Sequence, residues 1–317
     1  MQKTAVVFFN LGGPDSIDAI EPFLYNLFCD PDIFNLPFGQ KLFAKLISSR
    51  RAPKVAGEYK LIGGKSPINE WTEKQRVMLE VKLRRDFPAV DVYTAMRYWK
   101  PLTAEITAIV ESKNYDKIIL LPLYPHYSIT TTGSSFNEWN RHYKGEAFKL
   151  VYIKDYYLNE KYIAAINQRI DETILRFPEK LKNDIQIVFS AHGTPVSLVK
   201  KGDPYSSHIR QTVEAVMNAR NHSHKHHLCF QSKVGPMKWL EPATNTMIEE
   251  LAAQDKKHLL IVPISFVSDH VETLFELDIE YRHVADKVGI ENYIVMKGLN
   301  DSELFVEALA GLVRSNL

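Results

Sequence analysis

The chain is short of cysteine, of net charge and of long apolar runs, and each shortage excludes a class of protein. Only two of its 317 residues are cysteines, Cys29 and Cys229. They have neither metal-ligand spacing nor a disulfide framework, which fits a reducing compartment and a cytoplasmic protein. A formal charge of +1 provides no global positive field, so no nucleic-acid partner is expected. No apolar stretch reaches the ~18 residues that a membrane span requires. The N-terminal MQKTAVVFFNLGG meets Asn10 and two glycines directly after its apolar run, so it reads as a first strand and not as a signal peptide. Nucleotide and nucleophile motifs are also missing. NLGGPD lacks the GxGxxG spacing, and neither a P-loop nor a GxSxG elbow occurs.

What is present is an alternation. Unbroken apolar runs at 4–10, 90–96, 117–124, 148–153, 185–191, 227–231, 258–266 and 292–298 each end in turn residues, and helical spacing intervenes at 159–177, 206–220 and 241–254. Continuous rather than alternating apolar residues indicate strands buried on both faces, as in a parallel sheet covered by helices. With 45% apolar and 24% charged residues, the expected class is soluble α/β, in two domains of ~150 residues. Eight strands divide four and four near residue 155. KIILLPLYPHYS and HLLIVPISFVSD echo one another, each with a proline inside the run, as two duplicated halves would. Ligands of open α/β sheets bind beyond the carboxyl ends of the strands. The segments of interest are therefore NLGGPDS, MRYWKP, YPHYSITTTGSS, SAHGTP, QSKVGP and SFVSDHVE.

The sharpest of these is FVSDHVETLFELDIEY (266–281), which places Asp269, Glu272, Glu276, Asp278 and Glu280 close together with His270 among them. Residues 269, 272, 276 and 280 share one helical stripe, and no Lys or Arg interrupts it before Arg282. Such a stripe is either fully solvated or holds a cation. Asp269 with Glu272 also has capping-box spacing, which would explain two of the carboxylates but not Glu276 and Glu280. In SAHGTP, His192 ends a buried strand and is either a proton acceptor, a metal ligand or a turn-stabilising group. The cluster His222, His224, His226 and His227 lies opposite the strand exits without structured-site spacing, and is set aside. TTTGSS (130–135) could cradle a phosphate or carboxylate. In 33–54, Phe38, Leu42, Phe43, Leu46 and Ile47 follow helical spacing beside Lys41, Lys45, Arg50, Arg51 and Lys54. This segment is either a core helix, a pocket lip or a membrane-surface element.

Eight motifs in order resemble the ferrochelatase family: NLGGPDS, RRAPK, IGGKSPI, RYWKP, YPHYSITTTGSSFNEWN, SAHGTP, QSKVGPMKWLEPAT and SDHVETLFELDIEY. The resemblance spans almost the whole chain. It implies two similar Rossmann-like domains, each a four-stranded parallel sheet flanked by helices. One is residues 1–155 with a C-terminal helix at about 301–317, the other 156–300 carrying His192 and Glu272. The implied activity is insertion of Fe²⁺ into protoporphyrin IX with release of two protons, making the chain a lyase of haem synthesis. The alternatives are coproporphyrin III as substrate, or a non-catalytic porphyrin carrier. His192 and Glu272 carry over as catalytic and iron-contacting residues, and Glu276 and Glu280 as an outer path. Leu11, Arg51, Lys54, Ser66, Arg97, Tyr124, Ser128, Ser232 and Trp239 carry over as porphyrin contacts, with Leu36, Pro37 and Phe38 as the lip. Porphyrin and iron are the implied partners, and residues 33–47 imply peripheral contact at the inner face of a membrane. No resident cofactor is expected. Animal members hold a 2Fe–2S cluster through a cysteine-bearing C-terminal extension, whereas Ile129 stands where they carry a further cysteine. The stretch FLYNLFCDPDIFNLP resembles the protoporphyrin type.

Overall fold

The computed structural model describes residues 2–34, 36–233 and 237–317. The chain divides into two compact units, Met1–Tyr156 with Phe305–Leu317, and Tyr157–Leu304. The divide falls one residue beyond the expected 155, and the C-terminal return to the first unit begins at 305 rather than about 301. The first unit holds β1 (Thr4–Asn10), β2 (Val90–Met96), β3 (Lys117–Pro122) and β4 (Leu150–Tyr152). The second holds β5 (Gln186–His192), β6 (Lys225–Gln231), β7 (His258–Pro263) and β8 (Asn292–Val295). The sheets run β2-β1-β3-β4 and β6-β5-β7-β8, and every pairing is parallel. The two halves thus share one strand order, with the first strand in second place.

The central strands are apolar throughout because helices cover both faces, and every residue of β1 and β7 is buried. β3 and β7 stop at Pro122 and Pro263, short of the runs to 124 and 266 expected from hydrophobicity. Proline has no N–H to continue a ladder, so each proline ends its strand and releases the following residues to build a site. Both units then form a π-helix, Ile129–Gly133 after β3 and Glu272–Glu280 after β7. The edge strand β2 is protected by arginines. Arg76 Nη1 donates to the Val92 carbonyl at 3.2 Å and Arg84 Nε to that of Val90 at 3.1 Å. A groove along this edge is lined by Arg76, Arg84, Asp91 and Tyr93. Its guanidiniums are committed to Glu73, Glu80 and Asp91, and Met96, Lys100 and Pro101 of the MRYWKP segment close one end of it.

Two further differences from expectation concern helices. The helix Gln40–Leu61 buries Ala44 and Ser48, while Phe38, Leu42 and Leu46 are 90%, 76% and 50% exposed. The core-helix reading of that apolar stripe therefore fails for these three, while Phe43 is half-buried against Phe28 and Phe34. Asn35 lies outside the described residues. The C-terminal helix Glu303–Arg314 buries Phe305, Val306, Leu309 and Val313. It is tied to the first unit by Glu307 to Lys82 and by Arg314 to Asp86 at 3.1 Å. Lys117 Nζ adds bonds to the carbonyls of Asn316 and Leu317 at 2.8 and 2.7 Å.

Phe305 is fully buried, and truncating such a residue costs about 3–5 kcal/mol through lost burial and the cavity left behind. Phe305→Ala should lower urea-unfolding stability by that order. Hydrogen exchange should accelerate in β1–β3 and not in β5–β7, although β3 ends at Pro122, far from Phe305 in sequence.

Candidate active site

The site is built in the second unit from the ends of β5 and β6 and the π-helix after β7. His192 is the last residue of β5 and pairs with Gln231 at the end of β6. Its backbone is pinned on both sides: the N–H donates to Ser265 Oγ at 2.9 Å, and Tyr205 Oη donates to the carbonyl at 3.0 Å. The next residue must be glycine, because a Cβ at Gly193 would lie 2.6 Å from the Gln231 carbonyl oxygen and 3.4 Å from Trp239 Cε3. This close turn directs the His192 ring toward the π-helix, where Nδ1 lies 2.8 Å from Glu272 Oε2.

Glu276 lies one step further along. Its carboxylate accepts from Ser232 N–H at 2.7 Å, from Ser232 Oγ at 2.6 Å and from Tyr281 Oη at 2.9 Å. Gln231 joins the two acids. Ser190 Oγ donates to its Oε1 at 3.0 Å, which orients the amide so that Nε2 lies 3.3 Å from both Glu272 and Glu276. Ser232 has a left-handed φ of 65°, a strained conformation for serine that aims its N–H and hydroxyl at one carboxylate. Ser232, expected as a porphyrin contact, here gives its donors to the two acids. Glu280 is exposed at the end of the helix, and Asp278 leaves the stripe to pair with Arg282.

Asp269 does not cap the helix as a capping box. The cap position is Val271, without a side-chain bond. The Asp269 carboxylate instead accepts from Gly298 N–H at 3.0 Å, Asn300 Nδ2 at 2.7 Å and Thr273 Oγ1 at 3.0 Å. His270 is buried, with Nδ1 3.1 Å from the Ser268 carbonyl and Nε2 3.8 Å from Glu272 Oε1. The carbonyl can only accept, so Nδ1 carries a proton and Nε2 is the ring nitrogen turned to the site. Gln231, His270 and Tyr281 are the site residues that sequence reasoning passed over. The only signal for Gln231 was a polar residue closing the apolar run HLCFQ.

Burial alone would lower the His192 pKa, but the adjacent Glu272 charge and hydrogen bond outweigh it, with help from Glu276, and raise it. Burial would raise Glu272, yet His192 and His270 hold it well below the usual carboxylate range. Glu276 is raised, first by burial and then by the neighbouring Glu272 charge, against the bonds from Ser232 and Tyr281. The environment therefore separates one ionised acid from one that holds its proton more tightly, the separation expected of a proton-handling site. Among the described residues, no three His, Cys, Asp or Glu side chains form a preformed metal chelate. His192 and Glu272 are bonded to one another, and a cation would enter by opening that bond.

The remaining expected contacts fall as follows. Trp239 is half-buried against the His192–Gly193 turn, where its backbone bridges to Pro195. Val234, Gly235 and Pro236 of the same motif lie outside the described residues. In the first unit, Leu11 and Tyr124 are half-buried at the ends of β1 and β3, and burial pushes the Tyr124 hydroxyl up. Ser66 is buried against Gly13, where an added Cβ would lie 2.5 Å from Ser66 Oγ. Arg51 and Lys54 are exposed, the Lys54 ammonium 3.8 Å from Glu58. Arg97 and Ser128 have internal partners. The Arg97 guanidinium is 2.9 Å from the buried Asp30 and 2.8 Å from Ser134 Oγ, with Tyr98 Oη also on Asp30 at 2.7 Å. Ser128 accepts the Thr130 N–H at 3.3 Å and caps the first π-helix. Thr132, Ser134 and Ser135 are buried, and Ser134 of TTTGSS joins this internal network through Arg97 and Asp30.

The His192–Glu272 pair links pH to stability. His192, raised, contributes below its unfolded value of ~6.5 and loses its contribution as pH climbs through its folded value. Glu272, lowered, contributes above ~4.3 and loses its contribution as pH falls through its folded value. The stabilisation is therefore complete between those two values. Glu272→Gln removes the charge but leaves the burial, so the His192 pKa followed by ring NMR should fall below that of the parent enzyme. A pKa unchanged by the substitution would contradict the pairing.

Comparison with known proteins identifies the family. The profile of the Ferrochelatase family matches residues 3–317. The ferrochelatase of Geotalea uraniireducens is 47% identical over 100% of this chain and 98% of its own length. That of Aquifex aeolicus is 43% identical over 99% of this chain and 100% of its own. Among solved structures, SirB from Bacillus subtilis with Fe³⁺ superposes with a TM-score of 0.55 at 13% identity, over 99% of this chain and 95% of that one. DR2241 from Deinococcus radiodurans, described as structurally similar to chelatases, gives 0.54 at 10% identity over 98% of this chain and 55% of that one. These two likenesses show the fold alone. Family match and full-length identity together show that the chain belongs to the ferrochelatase family, lyases that insert metal into porphyrin in haem biosynthesis.

Proposed function

We propose that the chain inserts Fe²⁺ into protoporphyrin IX, with His192 and Glu272 as the reacting pair. The observation carrying this reading is the 2.8 Å imidazole–carboxylate bond at the strand exits, set beside a second acid that holds its proton more tightly. Two pyrrole protons must leave as iron enters. Glu272 is the carboxylate that offsets the charge of the incoming dication, and imidazole and carboxylate are both accepted by Fe²⁺. The arriving cation displaces the proton shared by the His192–Glu272 pair to Glu276, as metal binding to histidine generally does. His192, freed once the metal has passed to the ring, then accepts a pyrrole proton. Glu276 receives protons next, and the exposed Glu280 gives them to water.

Porphyrin contacts are assigned by chemistry. Leu11, Tyr124 and Trp239 offer half-buried apolar or aromatic surface for the macrocycle. Arg51 and Lys54 offer uncrowded cations for propionates. The exposed Leu36, Phe38, Leu42 and Leu46 favour protoporphyrin, whose vinyl groups are apolar where coproporphyrin III carries two more carboxylates. The same ridge, with Lys41 and Lys45 beside it, supports peripheral binding to an anionic membrane from the cytoplasmic side. No described helix is long and apolar enough to cross a membrane. We further propose that no resident cofactor is used, since two cysteines cannot supply the four thiolates of an iron–sulfur cluster.

Anaerobic mixing with Fe²⁺ and each free-base porphyrin tests the substrate. Turnover should favour protoporphyrin IX in kcat/KM, and a preference for coproporphyrin III would overturn that part. His192→Ala should abolish turnover while porphyrin quenching of tryptophan fluorescence persists, and near-normal rates would sink the mechanism. Glu280→Gln should slow insertion without stopping it. For the membrane ridge, Leu42→Glu with Leu46→Glu should release the protein from anionic vesicles in sedimentation, whereas unchanged pelleting would remove the ridge from that role.

A further inference from the structure

Asp269 and Asn300 are both buried, at 8% and 4% exposure, and hold one another reciprocally. The Asp269 N–H donates to Asn300 Oδ1 at 2.9 Å, and Asn300 Nδ2 donates to Asp269 Oδ2 at 2.7 Å. A backbone bond from Asn300 N–H to the Val267 carbonyl at 2.9 Å closes the segment against its neighbour. Two features show that this approach is built in. Asn300 has φ of 42°, a left-handed conformation that asparagine tolerates better than most residues. A Cβ at Gly298 would lie 2.9 Å from the Asp269 nitrogen and 3.1 Å from the Ser268 carbonyl carbon, so only glycine lets the two segments meet.

The grip leads into the reacting pair. Thr273 Oγ1 donates to Asp269 Oδ1 at 3.0 Å and accepts the His270 N–H at 3.1 Å. Glu272 lies inside the short loop that this bond closes, between Asp269 and Thr273. Fixing residue 269 therefore fixes the first turn of the π-helix, and with it the distance from Glu272 to His192. No lysine or arginine pairs with Asp269 among the described residues, so the neutral donors of Gly298, Asn300 and Thr273 hold it instead.

We propose that Asn300 is a positioning residue for metal insertion, setting the Glu272–His192 geometry through Asp269. This rests on reading His192 and Glu272 as the reacting pair. A misplacement of about 1 Å can cost about 100-fold in rate. Asn300→Asp faces two carboxylates, and Asp269→Asn faces two amide NH₂ groups. Each should lower kcat at least ~10-fold with porphyrin KM little changed. The exchanged pair, Asp269→Asn with Asn300→Asp, restores every hydrogen bond of the grip and should return kcat to within ~3-fold of the parent. Recovery of Tm without recovery of kcat in the exchanged pair would show a structural role only and overturn the proposal, as would folded single variants with parental kcat. If the single variants do not fold, Asn300→Gly keeps the left-handed backbone and removes only the side chain. A folded Asn300→Gly enzyme with unchanged kcat overturns the proposal, and a ~10-fold or greater loss at constant KM supports it. Glu272→Gln serves as the control. Full activity there would refute the reacting-pair reading itself, separately from any result at Asn300.

Discussion

The bond between His192 and Glu272 is the constraint on which the functional geometry depends. It joins the end of a strand to the first turn of a π-helix at 2.8 Å. Burying an isolated carboxylate is costly, and a buried pair is tolerated only when its remaining hydrogen-bonding capacity is met. Gln231 and Ser232 meet it for Glu272, with the His270 ring 3.8 Å away, while Ser265 and Tyr205 hold the strand end that presents His192. Neither acid has an ion pair with lysine or arginine among the described residues. The positive charge beside Glu272 is therefore a proton on imidazole, which an incoming metal ion can replace. An arginine at that place would hold the charge permanently and close the site to a cation.

The two units show this by contrast, because they solve one folding problem with different residues. Each has a parallel sheet in the same strand order, a third strand ended by proline, and a π-helix beyond it. In the first unit, the charges near the strand exits are neutralised internally: Asp30 is saturated by Arg97, Tyr98 and Ser134, and Ser128 caps its own helix. In the second, the corresponding region is left acidic, with Glu272 and Glu276 sharing a glutamine and a serine. π-helical turns recur at functional sites because they depart from the regular ladder and re-aim side chains. Here one such turn is filled with hydroxyls facing inward, and the other with carboxylates facing the exit of β5.

Much of this was legible in the sequence, for identifiable reasons. Strands buried on both faces announce themselves as unbroken apolar runs, so all eight were found; β3 and β7 end early at a proline, and the edge strands β4, β6 and β8 also differ from their runs at one or both ends. His192 and Glu272 stood out because an ionisable residue just past a buried strand needs a reason to be there. Their neighbours did not stand out. Gln231 and Ser232 acquire meaning only when β6 is laid beside β5, and pairing between distant strands leaves no local periodicity. Asp30 was hidden in the same way, as its partners lie 67 to 104 residues away. Asp269 was misassigned because capping-box spacing is a local pattern, and a tertiary partner, Asn300, took the carboxylate. The ridge of Leu42 and Leu46 shows the limit of periodicity: it identifies a face but not what the face meets.

The acidic stripe also gains a direction that spacing could not give. Glu272, Glu276 and Glu280 are equivalent in sequence, but their surroundings grade them. Glu272 is held ionised by two histidines, Glu276 is raised by burial and by Glu272, and Glu280 is in water. The inner acid is therefore suited to staying ionised beside a cation and the next to holding a proton, a division of labour that only the fold supplies.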